Sequence, residues 1–169
     1  ISIKYLFQNI DIASIPIEIK CDFLSEDFTK KLDAFIESKV KQSLTYSHTD
    51  IIHNLAKTGN WHTNLKEDHT IFETLIKKTN QLSIDLSLYQ NAGATIVQQL
   101  AYGLAHANEY LNHLDTVIAN EAKQSLQVTF NVSIGSNYFF EISKLRALRQ
   151  LWATLASEYG VNTDCRIIA

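Results

Sequence analysis

The chain has 169 residues, enough for one domain that buries a substantial core. Hydrophobic residues make up 46% and charged residues 20%, and the net charge of −3 argues against a general nucleic-acid binder, which carries a basic excess. No apolar run reaches the roughly 20 residues needed to cross a bilayer, and no basic start followed by an apolar stretch marks a signal peptide.

Read in chain order, Ser2 to Phe7 and Ile17 to Phe23 are strand-like, separated by a turn around Asp11 to Pro16. In the second, Ile17, Ile19 and Cys21 alternate with Glu18 and Lys20, the period of a half-buried strand. Ser25 is a helix N-cap followed by acids in the first turn, and Phe28, Leu32, Phe35, Ile36 and Val40 form one apolar stripe behind it. A short strand is expected near Leu44 to Tyr46, then a helix from Asp50 to Lys57 that Gly59 stops. Asn60 to Asp68 is the least regular region, and Ile71, Leu75 and Ile76 mark a helix running to about Lys78. The spacing then predicts a strand over Gln81 to Tyr89, a helix from about Ala92 to Leu114, a strand over Leu126 to Ile134, a helix from about Asn137 to Tyr159, and a strand beginning at Arg166.

Strands alternating with helices long enough to cross back over a sheet predict an α/β fold with parallel strands and right-handed crossovers. Five or six strands are expected, whereas a closed eight-stranded barrel usually takes about 250 residues, so the expectation is a partial α/β barrel or an open sheet. One proline and five glycines leave no visible linker, and residues 1–169 read as a single domain. The chain holds no methionine, starts at Ile1 inside an apolar run and stops in another at Ala169. Domain ends are usually polar, so a piece of a longer chain is expected. Cys21 and Cys165 form no CxxC pair and read as buried thiols in a reducing cytoplasm. Asn131-Val132-Ser133 matches a glycosylation acceptor only by chance, because it lies in a strand-like run.

Two strand-to-helix units are specific. One runs Ser83-Ile84-Asp85-Leu86-Ser87-Leu88-Tyr89-Gln90-Asn91-Ala92-Gly93-Ala94-Thr95, and the other from Phe130 through Ile134-Gly135-Ser136-Asn137 to Lys144-Leu145-Arg146-Ala147-Leu148-Arg149 and Trp152. In the first, Gly93 and its small neighbours allow a sharp turn and close packing, and the helix start behind it could attract a phosphate or carboxylate. In the second, Phe139, Ile142, Leu145, Leu148 and Trp152 are expected to be the buried stripe, with Glu141 and Lys144 on the flank. In this fold class functional groups sit at the C-terminal ends of strands, which singles out Ser87 to Gln90 and Ser133 to Asn137.

Both units resemble the substrate barrel of the adenosylcobalamin-dependent acyl-CoA mutases, the methylmalonyl-CoA mutase family, with a clear match over Leu82 to Ala169. The resemblance implies a (β/α)8 barrel, incomplete in this chain, and a holoenzyme that interconverts methylmalonyl-CoA and succinyl-CoA with adenosylcobalamin. Catalytic members of that family carry Tyr-His-Met-Gln-Glu before Ala-Gly-Ala; the first two places are Ser87 and Leu88 here, with Tyr89 as a shifted substitute expected on the same strand face as Ser87. Where they carry Arg-x-Ser-Phe-Phe, with arginine binding the coenzyme A portion, this chain has Gln127-Val128-Thr129-Phe130-Asn131. Their final Arg-Thr-His is Arg166-Ile167-Ile168. Three sites lose polar or charged groups together while the packing residues remain.

The resemblance therefore implies the noncatalytic small subunit, partnered by a catalytic large subunit in a heterodimer, with no catalytic residue and no cofactor bound by this chain. Tyr89, Gln127, Thr129 and Arg166 are the candidate substrate contacts. The alternative is an active acyl-CoA mutase-family enzyme with a shifted site using Tyr89, Gln127 and Arg166. No spacing of His48, His53, His62, His69, His106 or His113 suggests a metal site, and these histidines are expected at the surface or an interface. Asp85 reads as a structural carboxylate because the sequence identifies no partner histidine. Open edge strands and apolar helix faces predict self-association, most simply as a symmetric dimer.

Overall fold

Five parallel strands alternate with helices in the computed structural model, which describes residues 5, 7–11, 17–21, 23–37, 45–48, 50–117 and 120–169. Strand β1 (Ile17–Lys20) pairs in parallel with β2 (Thr45–His48), Ile17 opposite Thr45 and Lys20 opposite His48. Between them lies α1 (Glu26–Glu37), whose first turn is capped by Ser25: its Oγ accepts from Phe28 N at 3.2 Å. Strands β3 (Gln81–Asp85), β4 (Gln127–Asn131) and β5 (Cys165–Ile168) form a second parallel sheet in that order. Asp85 stands opposite Asn131, and Thr129 opposite Arg166. Parallel neighbours cannot be joined by hairpins, so helices carry every return. These are α2 (Ile51–Thr58) and α3 (Leu65–Thr79) after β2, α4 (Ser87–Asn91), α5 (Ile96–Asp115) and α6 (Asn120–Ser125) after β3, and α7 (Tyr138–Glu158) after β4.

The pleat sorts the second sheet into two chemically distinct faces. Leu82, Ile84, Val128 and Phe130 point into the core, where Tyr110, Leu111, Leu148 and Trp152 from α5 and α7 cover them. Phe130 meets Trp152 edge-on at 5.4 Å between ring centroids, and Phe72 of α3 stacks on Tyr110 at 4.7 Å. The alternate positions, Ser83 and Asp85 on β3, Thr129 and Asn131 on β4, and Arg166 on β5, make the other face polar. Helix α5 comes close to the chain leaving β3: a Cβ on Gly103 would lie 2.5 Å from Leu86 Cδ2 and 2.6 Å from its Cγ. Leu86 is itself buried, so Gly103→Ala should cost about 1–3 kcal/mol through overpacking, read as a lower denaturant midpoint at unchanged slope.

Several expectations need correction. The strand expected to reach Tyr89 ends at Asp85, because the Asp85 carboxylate accepts from Ser87 N (2.9 Å) and Ser87 Oγ (2.5 Å) and turns the chain into the short α4. Ser87 and Tyr89 thus sit on a helix and share no strand face. The irregular stretch Asn60 to Asp68 contains an ordered helix start: Asn64 caps Glu67 N at 3.0 Å, and buried Asp68 accepts from His62 N (2.7 Å) and Thr63 N (3.0 Å). Sequence periodicity misses it because polar capping groups, and no apolar stripe, hold it. In α7, Phe139 is 78% exposed and Ile142 39%, while Glu141 and Lys144 are buried. Positions 148 and 152 fit both stripes, and the buried ion pair decides the rotation of the first turns. Of the strand expected over Ser2 to Phe7, Tyr5 is helical and Phe7 begins a turn, while residues 2–4 and 6 lie outside the described residues, as do 12–16 of the expected turn and Val40 of the α1 stripe.

The histidines are not all at the surface. His106 is buried, and His69 of α3 packs between Trp61 and His113 of α5, with ring centroids 5.6 and 4.4 Å away. His113 Nε2 lies 2.9 Å from Glu73 Oε1. Burial, then the neighbouring His113, holds His69 below its ordinary value of 6.5. The unfolded chain therefore binds the proton at higher pH than the folded one. Stability is full above pH 6.5 and falls as pH drops through the folded value, so His69→Gln should flatten the acid side of a stability–pH profile measured by urea titration.

Candidate functional site

The C-terminal ends of four strands bring charged and polar groups together. Lys20 ends β1, Asp50 follows β2, Asp85 ends β3 and Asn131 ends β4. With Cys21, Ser83 and the α2 face of His53, Asn54 and Lys57, then Thr58 and His62, they line a cleft of about 210 Å³. Parallel α/β folds place their ligand sites at these strand ends.

Asp50 is the hub. Its Oδ1 accepts from His53 N (2.9 Å), so it caps α2, and also from Tyr110 Oη (2.7 Å) and His106 Nε2 (2.9 Å). Its Oδ2 accepts from Asp85 N at 2.9 Å. Burial alone would push Asp50 up, but His106, Tyr110 and the α2 backbone hold it below the ordinary carboxylate value. The His106 ring bridges two groups, with Nε2 2.9 Å from Asp50 Oδ1 and Nδ1 3.3 Å from Tyr89 Oη. Burial, then Asp50 and Asp85, raises Tyr89, and burial with Asp50 raises Tyr110 further, so both phenols remain protonated donors.

Asp85 is the second closed unit. It pairs with Lys20 and accepts from Ser87, and these partners hold it below its ordinary value against the opposing effect of burial. His53 Nδ1 lies 3.7 Å from Asp85 Oδ2, so a partner histidine that sequence reading did not find stands beside this carboxylate.

A third unit lies under the loop after β4. Lys144 Nζ is 2.5 Å from Glu141 Oε2 and donates to Ser133 O (2.7 Å), Gln90 Oε1 (3.1 Å) and Gln99 Oε1 (3.1 Å). Gly135 packs close to this pair, and a Cβ there would lie 3.0 Å from Glu141 Oε1. Gly93, expected at a strand-to-helix turn, has φ +86° and turns the chain between α4 and α5 instead. The helix start behind it is occupied by its own capping box, Thr95 with Gln98.

The four candidate contacts are not brought together. Thr129 and Arg166 are register partners on the polar sheet face. Gln127 opens β4, at the N-terminal end of the strand and exposed. Tyr89 stands beyond the opposite end, its hydroxyl turned toward His106. The sequence offers Asp50 as a helix start and Glu141 with Lys144 on a helix flank, but the contacts that bury them, Asp50 with His106 and Tyr110 and Lys144 with Gln90 and Gln99, lie 45 to 60 residues apart and leave no local signal.

The fold and the strand-end cluster define an α/β protein of the class that keeps its ligand sites at the carboxyl ends of parallel strands. Comparison supplies the particular family: the profile described as Methylmalonyl-CoA mutase matches residues 2–168, and the chain belongs to that family. It is 40% identical over 79 residues to the methylmalonyl-CoA mutase small subunit of Porphyromonas gingivalis, covering 47% of this chain and 13% of that protein. Over 83 residues it is 39% identical to the large subunit from Propionibacterium freudenreichii subsp. shermanii, covering 49% and 11%. The small subunit of the latter organism is 38% identical over 87 residues, 50% of this chain and 13% of that protein. The matched stretches span little more than a tenth of these relatives, and identity alone does not separate large from small subunits.

Proposed function

We propose that this chain is part of the barrel domain of a methylmalonyl-CoA mutase small subunit, a noncatalytic scaffold for a catalytic large subunit in the cytoplasm. One observation carries the reading: the polar groups nearest the family's reacting positions are bonded to one another. Ser87 Oγ donates to Asp85, Tyr89 Oη is hydrogen-bonded to His106 Nδ1, and Lys20 pairs with Asp85. Leu88 offers no polar group at all. A site built to stabilise a transition state keeps its donors aimed at the reacting atoms, and these are aimed inward.

Adenosylcobalamin supplies the family's radical chemistry when bound. The strand-end groups here do not make a shell for it, since Asp85, Ser87, Tyr89 and His106 are engaged with each other, and on this reading the cofactor belongs to the partner's site. Thr129 and Arg166 are the contacts through which the polar sheet face would still meet an acyl-CoA chain, Gln127 would touch only its far end, and Tyr89 would contribute its ring edge. The five strands would form part of an eight-stranded barrel.

Mixing the full-length protein with a catalytic large subunit tests the partnership. Light scattering should report a stable one-to-one complex. Two separate species at tens of micromolar would contradict the reading, and a homodimer of the full-length protein alone would replace it.

A further inference from the structure

The seam between α3 and α5 holds imidazoles that the strand-end site does not use. His69 of α3 lies between the Trp61 indole, 5.6 Å away between ring centroids, and the His113 ring of α5, which it meets edge-on at 4.4 Å. His113 has an acceptor in Glu73 Oε1 at 2.9 Å. His69 Nδ1 is buried and has no hydrogen-bond partner among the described residues. An imidazolium carries a proton on both ring nitrogens. Charging His69 would therefore bury an N–H without an acceptor, beside a second imidazole that titrates in the same range.

The neighbouring carboxylates are committed elsewhere. Asp68 accepts from the His62 and Thr63 amides at 2.7 and 3.0 Å, and Glu73 is shared between His113 and Lys77, whose Nζ lies 3.8 Å from Oε2. Glu109 of α5 is exposed, where water screens its charge, and Lys66 adds a like charge along the same groove. The group has a mechanical role as well. Trp61 belongs to the stretch between α2 and α3, Asp68 bonds the two amides that follow it, and His62 lines the strand-end cleft.

We propose that Trp61, His69 and His113 form an acid-sensitive latch. With the imidazoles neutral it clamps residues 60–64 onto α3 and α5, and proton uptake by His69 releases Trp61 and opens the His62 edge of the cleft. The latch works the same way in an inactive or an active subunit, so it stands apart from the scaffold reading.

Fluorine NMR of the full-length protein labelled with fluorotryptophan tests it, with the Trp61 resonance assigned from Trp61→Phe. The difference in that resonance between light and heavy water reads contact of the indole with solvent. As pH falls from about 8 to about 5, across the ordinary histidine range, this difference should rise in one step at Trp61. Trp152, buried against Phe130, should stay dry throughout and so report that each variant is folded. His69→Gln should abolish the step. His113→Gln removes the facing imidazole and frees Glu73, so it should shift the midpoint to higher pH. A Trp61 ring that stays dry until Trp152 is wetted too would overturn the latch. So would a step that survives His69→Gln, or a midpoint that does not rise in His113→Gln.

Discussion

Asp50→Ala should destabilise the protein by about 3–5 kcal/mol, the scale of removing one partner from a buried charged network. Four donors lose their acceptor at once: the His53 and Asp85 amides, Tyr110 and His106. The α2 cap disappears with them, which alone is worth about 1 kcal/mol. Asp50→Asn keeps an acceptor oxygen and should lose less. The sign of the pH effect follows from the lowered carboxyl: its contribution is present above 3.8 and lost as pH falls through the folded value. Urea titrations at neutral and acid pH should therefore show wild type and Asp50→Ala converging in acid. A loss under 1 kcal/mol at neutral pH would mean the network does not hold the strand ends.

Lys144→Met should cost a similar amount, about 3–5 kcal/mol, for the opposite charge. Methionine matches the length of lysine but leaves Glu141 buried and unpaired, and removes the donor to Ser133 O, Gln90 and Gln99. Adding Glu141→Gln removes the stranded charge, so the double variant should recover part of the loss. Hydrogen exchange should show the segments after β3 and β4 loosening together, since Lys144 ties Gln90 to Ser133. Loosening of only one segment would show that they are not coupled.

Much of the fold was readable because strand and helix periods are local. Asp50 and Gly59 bracket α2, Asn137 caps α7, and β5 begins at Cys165, within a residue of where the sequence places it. The errors share a cause. Ser87-Leu88-Tyr89 alternates like a strand, but Asp85 folds its carboxylate back on Ser87 and ends the strand. Phe139 and Ile142 look like core by spacing, but the aromatic residues Tyr138 to Phe140 are exposed at the start of α7 and the buried turn beneath is ionic. Local pattern shows which residues could be buried; it does not show which distant partner makes burial of a charge tolerable. His106 shows the same limit: its neighbours along α5 suggest an ordinary helix surface, and only Asp50, 56 residues earlier in the chain, explains its burial.

Turnover by the full-length protein, purified without a large subunit and supplied with adenosylcobalamin and methylmalonyl-CoA, probes the inward-facing strand ends most directly. With Ser87, Tyr89 and Lys20 committed to their neighbours, no succinyl-CoA should form, and activity should appear only when the catalytic partner is added. Sustained conversion by the lone protein, abolished by Arg166→Ala, would show that these groups open to substrate and that the chain is an enzyme in its own right.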